Sequence, residues 1–248
     1  MTLRDFFEAN PETALAFSGG VDSAYLLYAA KKYARRVTAY YVKTAFQPAF
    51  ELEDARRLAE ELGADMKILT LDALADETVA ANPWDRCYHC KRHIFGAILK
   101  AAAADGYTTV LDGTNASDRA DDRPGMRALK ELEVRSPLRE CGLPKDEIRR
   151  LSKEAGLFTW NKPAYACLAT RVPTGMPITE ELLARTERAE AALSAMGFSD
   201  FRVRTARDGS AKLQLKEDQL AAALSKRTEI LNTLSKDYPT VLLDLEVR

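Results

Sequence analysis

Neither sign of charge prevails in this chain of 248 residues: Lys and Arg number 36, Asp and Glu 37, for a net charge of −1. Proteins that neutralise nucleic-acid phosphates carry a basic excess or stripe, so the composition holds no footprint for tRNA or DNA, a local groove aside. Long apolar runs are missing as well. No stretch approaches the roughly 18 uninterrupted apolar residues of a membrane helix. The start, MTLRDFFEANPETALAF, is acidic and amphipathic where a leader would be basic and then apolar. The expected location is the cytoplasm, with no membrane attachment and no nucleic-acid partner. Internal repeats and low-complexity segments are also absent. Cysteine is scarce, at four: Cys87, Cys90, Cys141 and Cys167. In a reducing compartment these suit metal binding or sulfur chemistry better than disulfides.

What is present is ordinary for a globular enzyme, with 46% hydrophobic and 29% charged residues. The length serves one large domain or two modest ones. Thr2 caps a short helix with Leu3, Phe6 and Phe7 on one face. Residues 13–17 form an apolar run that stops at Ser18-Gly19-Gly20, and a helical pattern resumes over 22–33. Residues 37–43 are β-branched and aromatic, the signature of a strand. Residues 51–62 read as a helix closed by Gly63. A strand at 66–71, a helical stretch at 94–104 and a strand at 108–113 follow.

Strands alternating with helices imply a parallel sheet covered on both faces. Ligands of such sheets sit at the carboxyl ends of strands, where 18–23, Lys43-Thr44 and 113–118 all fall. Pro144 opens a helix ending near Gly156. Residues 160–177, with three prolines and little periodicity, read as a junction. Beyond it, Thr179 caps a helix to Gly197, and 201–206 and 212–216 form a hairpin about Asp208-Gly209. A helix through Leu231 and a last strand complete a small unit. The expected fold class is α/β: a parallel-sheet, Rossmann-like domain over 1–165 with a smaller C-terminal α+β domain over 166–248.

Ser18-Gly19-Gly20-Val21-Asp22-Ser23 stands between a strand and a helix. The unpaired N–H groups of a first helical turn, with the positive end of the dipole, make an anion cradle. Glycines let the backbone approach a phosphate. Ser18 and Ser23 add hydroxyl donors, and Asp22 can hold Mg²⁺ against the phosphates. The string is not G-x-x-x-x-G-K-[ST], so ordinary γ-phosphoryl transfer is not implied. A tight turn capped by Ser18 and Asp22 is the bland alternative. The string resembles the signature of the PP-loop (N-type) ATP pyrophosphatases, which include GMP synthetase, NAD synthetase and the tRNA thiolation enzymes. That resemblance implies the adenine nucleotide alpha hydrolase-like fold and cleavage of ATP between its α and β phosphates, with AMP placed on a substrate oxygen.

Further motifs narrow this. They are Asn82-Pro83-Trp84-Asp85-Arg86-Cys87-Tyr88-His89-Cys90-Lys91, then Asp112-Gly113-Thr114-Asn115-Ala116-Ser117-Asp118, Asp122-Arg123-Pro124-Gly125 and Arg135-Ser136-Pro137-Leu138-Arg139. Last comes Lys162-Pro163-Ala164-Tyr165-Ala166-Cys167-Leu168-Ala169-Thr170-Arg171. Together they resemble the LarE family, the ATP-dependent sulfur transferases that build the nickel-pincer cofactor of lactate racemase. The resemblance runs over essentially the whole chain. It implies a pyridinium dicarboxylate mononucleotide as substrate, with one carboxylate adenylated and then converted to a thiocarboxylate. In some members the sulfur comes from a single sacrificed cysteine, whose position Cys167 matches. Others add a Cys-x-x-Cys and hold a [4Fe-4S] cluster on three thiolates, which Cys87, Cys90 and Cys167 would supply here. Structural zinc on Cys87, Cys90 and His93 or Cys141 and a persulfide-passing dithiol are the alternatives. Cys141 reads as a bystander, and His89 as a solvated loop residue.

Alternation along Phe201-Arg202-Val203-Arg204 puts the two arginines on one face, about 7 Å apart. That spacing makes a fork for the 5′-phosphate of a mononucleotide, against the bland reading of a solvated edge. Lys91, Arg171 and Glu190 are weaker nominations for the same side. Lys43, Gly113, Asn115, Asp118 and Arg123 are expected on the ATP side, and Trp84 and Trp160 either stack on a ring or pack at the junction. The C-terminal domain is expected to supply phosphate contacts and self-association into a homo-oligomer. Two further classes stand as rivals: a PP-loop tRNA thiolase, and an amide-forming adenylating ligase that needs ammonia rather than thiolates. A zinc-stabilised nucleotide sensor is the non-enzymatic alternative.

Overall fold

The structure is a computed structural model describing residues 1–118 and 124–246. It divides into two compact units, one of residues 1–73 and 85–162 and one of residues 74–84 and 163–248.

The first unit opens with α1 (Leu3–Ala9), held by a capping box between Thr2 and Asp5. Then come β1 (Glu12–Ala16), α2 (Val21–Tyr33), β2 (Arg36–Lys43), α3 (Ala49–Glu61) and β3 (Asp65–Thr70). The short α4 (Glu77–Ala80) belongs to the second unit. The chain re-enters the first with α5 (Arg86–Ala104), β4 (Val110–Leu111), α6 (Pro124–Glu131), α7 (Pro137–Glu140) and α8 (Lys145–Glu154). The sheet order is β3-β2-β1-β4, every pair parallel. The fold is therefore the expected α/β class with a parallel, Rossmann-like sheet.

Period-2 alternation explains the double cover. Leu15, Ala39 and Tyr41 pack with α1, α2 and α3, where Phe6, Leu27 and Leu58 are fully buried. Ala14, Tyr40 and Val42 turn the other way, onto Phe95, Ile98 and Leu129 of α5 and α6. The strand order reverses at β1, flanked by β2 on one side and β4 on the other. A crevice therefore opens beyond the carboxyl ends of β1 and β4.

Two details differ from expectation. The fourth strand pairs over only two residues, Val110 and Leu111, because the chain is then drawn toward Arg135, whose carbonyl accepts the Asp112 N–H at 2.9 Å. The helix expected over 94–104 starts at Arg86, so the Cys-x-x-Cys pair lies on a helix and not in a loop.

The second unit holds α9 (Glu180–Ala195), capped by Thr179, then β5 (Arg202–Thr205) and β6 (Ala211–Gln214) as an antiparallel pair. Next are α10 (Leu220–Ser225), α11 (Arg227–Leu234) and β7 (Val241–Leu243), which joins β6 in parallel. Leu193, Phe201, Val203 and Leu213 form its core. Asn82 anchors the 74–84 strap: it adopts φ +58°, and its amide donates to the carbonyls of Pro173 (2.9 Å) and Met176 (3.1 Å). No helix among the described residues is long and apolar enough to cross a membrane.

Candidate active site

The glycine loop is tight for reasons of geometry. Gly19 has φ +71°, and a Cβ there would stand 3.1 Å from the Ala55 Cβ and 3.3 Å from its backbone. Both conformation and space require glycine. The Ser23 hydroxyl donates to the Gly20 carbonyl at 3.1 Å and accepts the Ser18 N–H at 3.3 Å; it lies 3.1 Å from the Ser18 hydroxyl. Gly20 is the N-cap of α2, so no side chain covers the first-turn N–H groups. Those donors and the dipole make the anion cradle. The loop after β4 meets it backbone to backbone: a Cβ on Gly113 would lie 3.0 Å from the Ser23 nitrogen.

A cavity of about 350 Å³ opens at this junction. Ser18, Gly20, Asp22 and Ser23 line it from one loop, Gly113 and Asp118 from the other, and Lys91 from α5. The Lys91 stem passes over Gly125, where a Cβ would come 2.9 Å from its Cδ. Asp22 Oδ2 pairs with Lys145 Nζ at 2.6 Å, whereas Oδ1 is buried with no hydrogen-bond partner. An unpaired carboxylate oxygen is a hard donor that fits Mg²⁺.

Three other ATP-side nominations fall differently. Lys43 gives its amine to the Gln47 carbonyl. Asn115 shapes its own loop, its N–H donating to Asp118 Oδ2 at 3.0 Å and its Oδ1 accepting the Ser117 N–H at 2.8 Å. Arg123 lies outside the described residues.

Sequence reasoning overlooked the cavity's apolar wall, formed by Tyr40, Val42, Phe95 and Ile98, all buried. It also passed over Tyr41, whose hydroxyl is buried without a hydrogen-bond partner. Burial pushes that phenol above its ordinary range. The position of 40–42 at the end of a strand was the available signal. Asp112, buried and accepting from the Ser136 hydroxyl at 2.6 Å and from Thr114, was missed as well.

Cys87 and Cys90 fall three residues apart at the start of α5, on one helical face; Cys87 is exposed and Cys90 half-buried. Among the described residues no three His, Cys, Asp or Glu side chains come together as a metal-binding group, whether Cys87 and Cys90 are taken with His93 or with Cys167. Cys141 packs against the core beside α7, and burial raises its thiol pKa, as suits a bystander. His89 is close to Asp85, at 3.5 Å, on the same helix and not in a loop.

In the second unit Cys167 precedes a 3-10 turn, Leu168–Arg171. Arg171, 1% exposed, forms two hydrogen bonds to Glu190 (2.9 and 3.1 Å) and donates to the Ala166 carbonyl at 2.8 Å. Glu190 also accepts the Val203 N–H at 2.9 Å and the Tyr165 hydroxyl at 2.5 Å. Arg202 is buried and donates to the Ala164 carbonyl at 2.9 Å; Arg204 is half-buried and donates to the Thr170 carbonyl at 2.6 Å. Neither guanidinium sits on a solvated edge. Three arginines thus hold the backbone on both sides of Cys167. Trp84 is 75% exposed, and Trp160 lies under the Lys153 amine at 4.7 Å.

The asparagine synthase family pattern matches residues 4–138, the stretch that carries the glycine loop and the loop after β4. Over 93% of the chain, the protein is 36% identical to pyridinium-3,5-bisthiocarboxylic acid mononucleotide synthase of Lactiplantibacillus plantarum, 84% of which is covered. The chain belongs to the LarE family. It is an ATP-dependent sulfurtransferase of the PP-loop type, using ATP and Mg²⁺. An uncharacterised protein of Synechocystis sp. is 37% identical over 98% of the chain and 92% of its own length. The tRNA-specific 2-thiouridylase MnmA of Pseudothermotoga lettingae is 28% identical over 60% of this chain and 53% of its own length.

Proposed function

We propose that this LarE-family protein adenylates a carboxylate of a pyridinium dicarboxylate mononucleotide and converts it to a thiocarboxylate for the nickel-pincer cofactor. The observation that carries the reading is the convergence of the glycine loop and the loop after β4 on one cavity, in a chain that matches the mononucleotide synthase over almost its full length. Ser18, Ser23 and the first N–H groups of α2 bind the β and γ phosphates. Asp22 holds Mg²⁺, and the apolar wall takes the purine. Gly113 and Asp118, which line the cavity, complete the ATP side, with Asn115 shaping the loop that carries Asp118.

The substrate carboxylate oxygen attacks the α-phosphorus and pyrophosphate leaves, which turns a poor oxide leaving group into AMP. A sulfur nucleophile then adds to the acyl carbon and AMP departs. On the substrate side Arg202 and Arg204, with Arg171 and Glu190 beside them, recognise the 5′-phosphate or support the residues that do, whereas Lys91, expected there, lines the nucleotide cavity.

Cys167 is the sulfur-handling residue. In this reading Cys87 and Cys90, three residues apart on one face of α5, would supply two of the three thiolates of a [4Fe-4S] cluster, with Cys167 as the third. When bound, such a cluster offers an iron without a protein ligand, on which an extra sulfide can ride. Self-association through the second unit belongs to the same reading, supported by exposed Leu224, Leu242 and Leu245. So does a cytoplasmic location.

The test is pyrophosphate release from Mg-ATP that depends on the carboxylated mononucleotide, with the product gaining about 16 Da as sulfur replaces oxygen. Pyrophosphate release indifferent to Cys167→Ala, with ammonia accepted in place of sulfur, would instead indicate an amide-forming ligase. Iron and sulfide analysis after anaerobic purification, repeated for Cys87→Ala, Cys90→Ala and Cys167→Ala, tests the cluster. Iron content unchanged in all three variants removes it, and dehydroalanine at 167 after turnover establishes the sacrificial route. A tRNA thiolase is the second reading, drawn from the partial likeness to the 2-thiouridylase; tight, salt-dependent tRNA binding would favour it.

A further inference from the structure

Lys145 is the first residue of α8 and has no role in the function described so far. Its amine stands 2.6 Å from Asp22 Oδ2, an ion pair in which both side chains are partly open to solvent, at 30% and 23% exposure. Its backbone N–H donates to the Ser117 hydroxyl at 3.0 Å, and the Ala116 N–H to the Leu143 carbonyl at 2.9 Å. The start of α8 is thereby pinned to the loop after β4, which lines the nucleotide cavity.

We propose that Lys145 is the exchangeable counter-ion of the phosphate loop, paired with Asp22 in the nucleotide-free chain and turned to the ATP phosphates once Asp22 holds magnesium. The proposal rests on the ATP-site reading above. A carboxylate in the first turn of α2 opposes the binding of a triphosphate there, since like charges repel most strongly where water is partly excluded. Lys145 cancels that charge. Asp22 presents two unlike oxygens: Oδ2 is taken by Lys145, while Oδ1 is buried without a hydrogen-bond partner, on a residue that lines the cavity. The partly exposed Lys145–Asp22 pair is the contact that a cation on Asp22 would displace. Lysine suits this exchange because its ammonium is a compact charge on a flexible four-carbon stem, with no fixed fork to realign. A purely structural role, tying α8 to α2, would make the pair indifferent to what the cavity holds.

The test is calorimetric binding of ATP and AMP to the full-length protein, each with magnesium and with EDTA. Lys145→Met is expected to weaken Mg-ATP binding at least tenfold while AMP binding changes less than twofold, with Lys145→Arg restoring most of the loss. Asp22→Asn is expected to tighten metal-free ATP binding several-fold, and the gain should vanish in Asp22→Asn/Lys145→Met. An unchanged ratio of ATP to AMP affinity in Lys145→Met overturns the proposal, as does an equal loss for both ligands. Should Lys145→Met fold poorly, the Asp22→Asn comparison in EDTA decides alone. Failure of the unaltered protein to bind Mg-ATP would instead refute the ATP-site reading and is visible before any variant is made.

Discussion

The two units arrange their polar groups by different means. In the first, backbone does the work: glycines at 19 and 113 bring N–H groups and a helix start to one place, and the nearby charges stand at its margin. In the second, long side chains do it: three arginines are drawn inward and engaged by carbonyls and by Glu190. A backbone cradle is set by the fold and loses little entropy on binding, but it tolerates no extra atom. A guanidinium cluster carries more charge and more desolvation cost, so it depends on its counter-charge. The first site is thus sensitive to volume, the second to charge.

That contrast can be broken most directly at Glu190. Glu190→Ala strands the buried Arg171 and is expected to destabilise the second unit by about 3–5 kcal/mol. Hydrogen exchange of β5 and α9 amides, with denaturant melts, is the measure; protection unchanged in both elements would mean the charge is not needed.

Next in size is Gly113→Ala, whose Cβ would press on the Ser23 backbone at 3.0 Å. A cost of about 1–3 kcal/mol is expected from overpacking, together with a loss of Mg-ATP affinity out of proportion to the loss of stability. Retained affinity would show that the two loops need not touch. Thr2→Ala serves as the control inside the first unit. It removes the capping box of α1 for about 1 kcal/mol and should leave nucleotide binding alone.

The smallest effect concerns Cys141. Its raised thiol pKa leaves less thiolate at any given pH, so alkylation there should lag behind exposed Cys87 at pH 7 and gain as pH rises. Peptide-resolved labelling across pH 7 to 9 reads this, and equal rates at pH 7 would contradict the burial.

Much of this was legible in the sequence because it lies in local signals. The alternation of strands with helices, the Ser-Gly-Gly stop, the Thr2 and Thr179 caps and the Asp208-Gly209 hairpin are each written within a few neighbouring residues. So were the loop members Ser18, Gly20, Asp22 and Ser23, which line the cavity as a group. What escaped depends on distant parts of the chain. Nothing near Lys145 announces that Asp22 will lie beside it, and nothing near Tyr41 says that its hydroxyl will be buried unpaired. Residues 202 and 204 alternate as expected, but alternation cannot say whether the polar face meets water or the carbonyls of another segment. The early start of α5 was hidden because Cys87 to His93 carries polar and thiol residues without a clear apolar stripe.

The strap of residues 74–84 has a practical corollary for anyone dividing the gene. Since Asn82 holds the carbonyls of Pro173 and Met176, a fragment beginning at 163 would leave behind a clasp that its own sequence cannot replace. Chimeras and circular permutants of this chain will need two cut points flanking the strap, or must carry the peptide along as a separate piece.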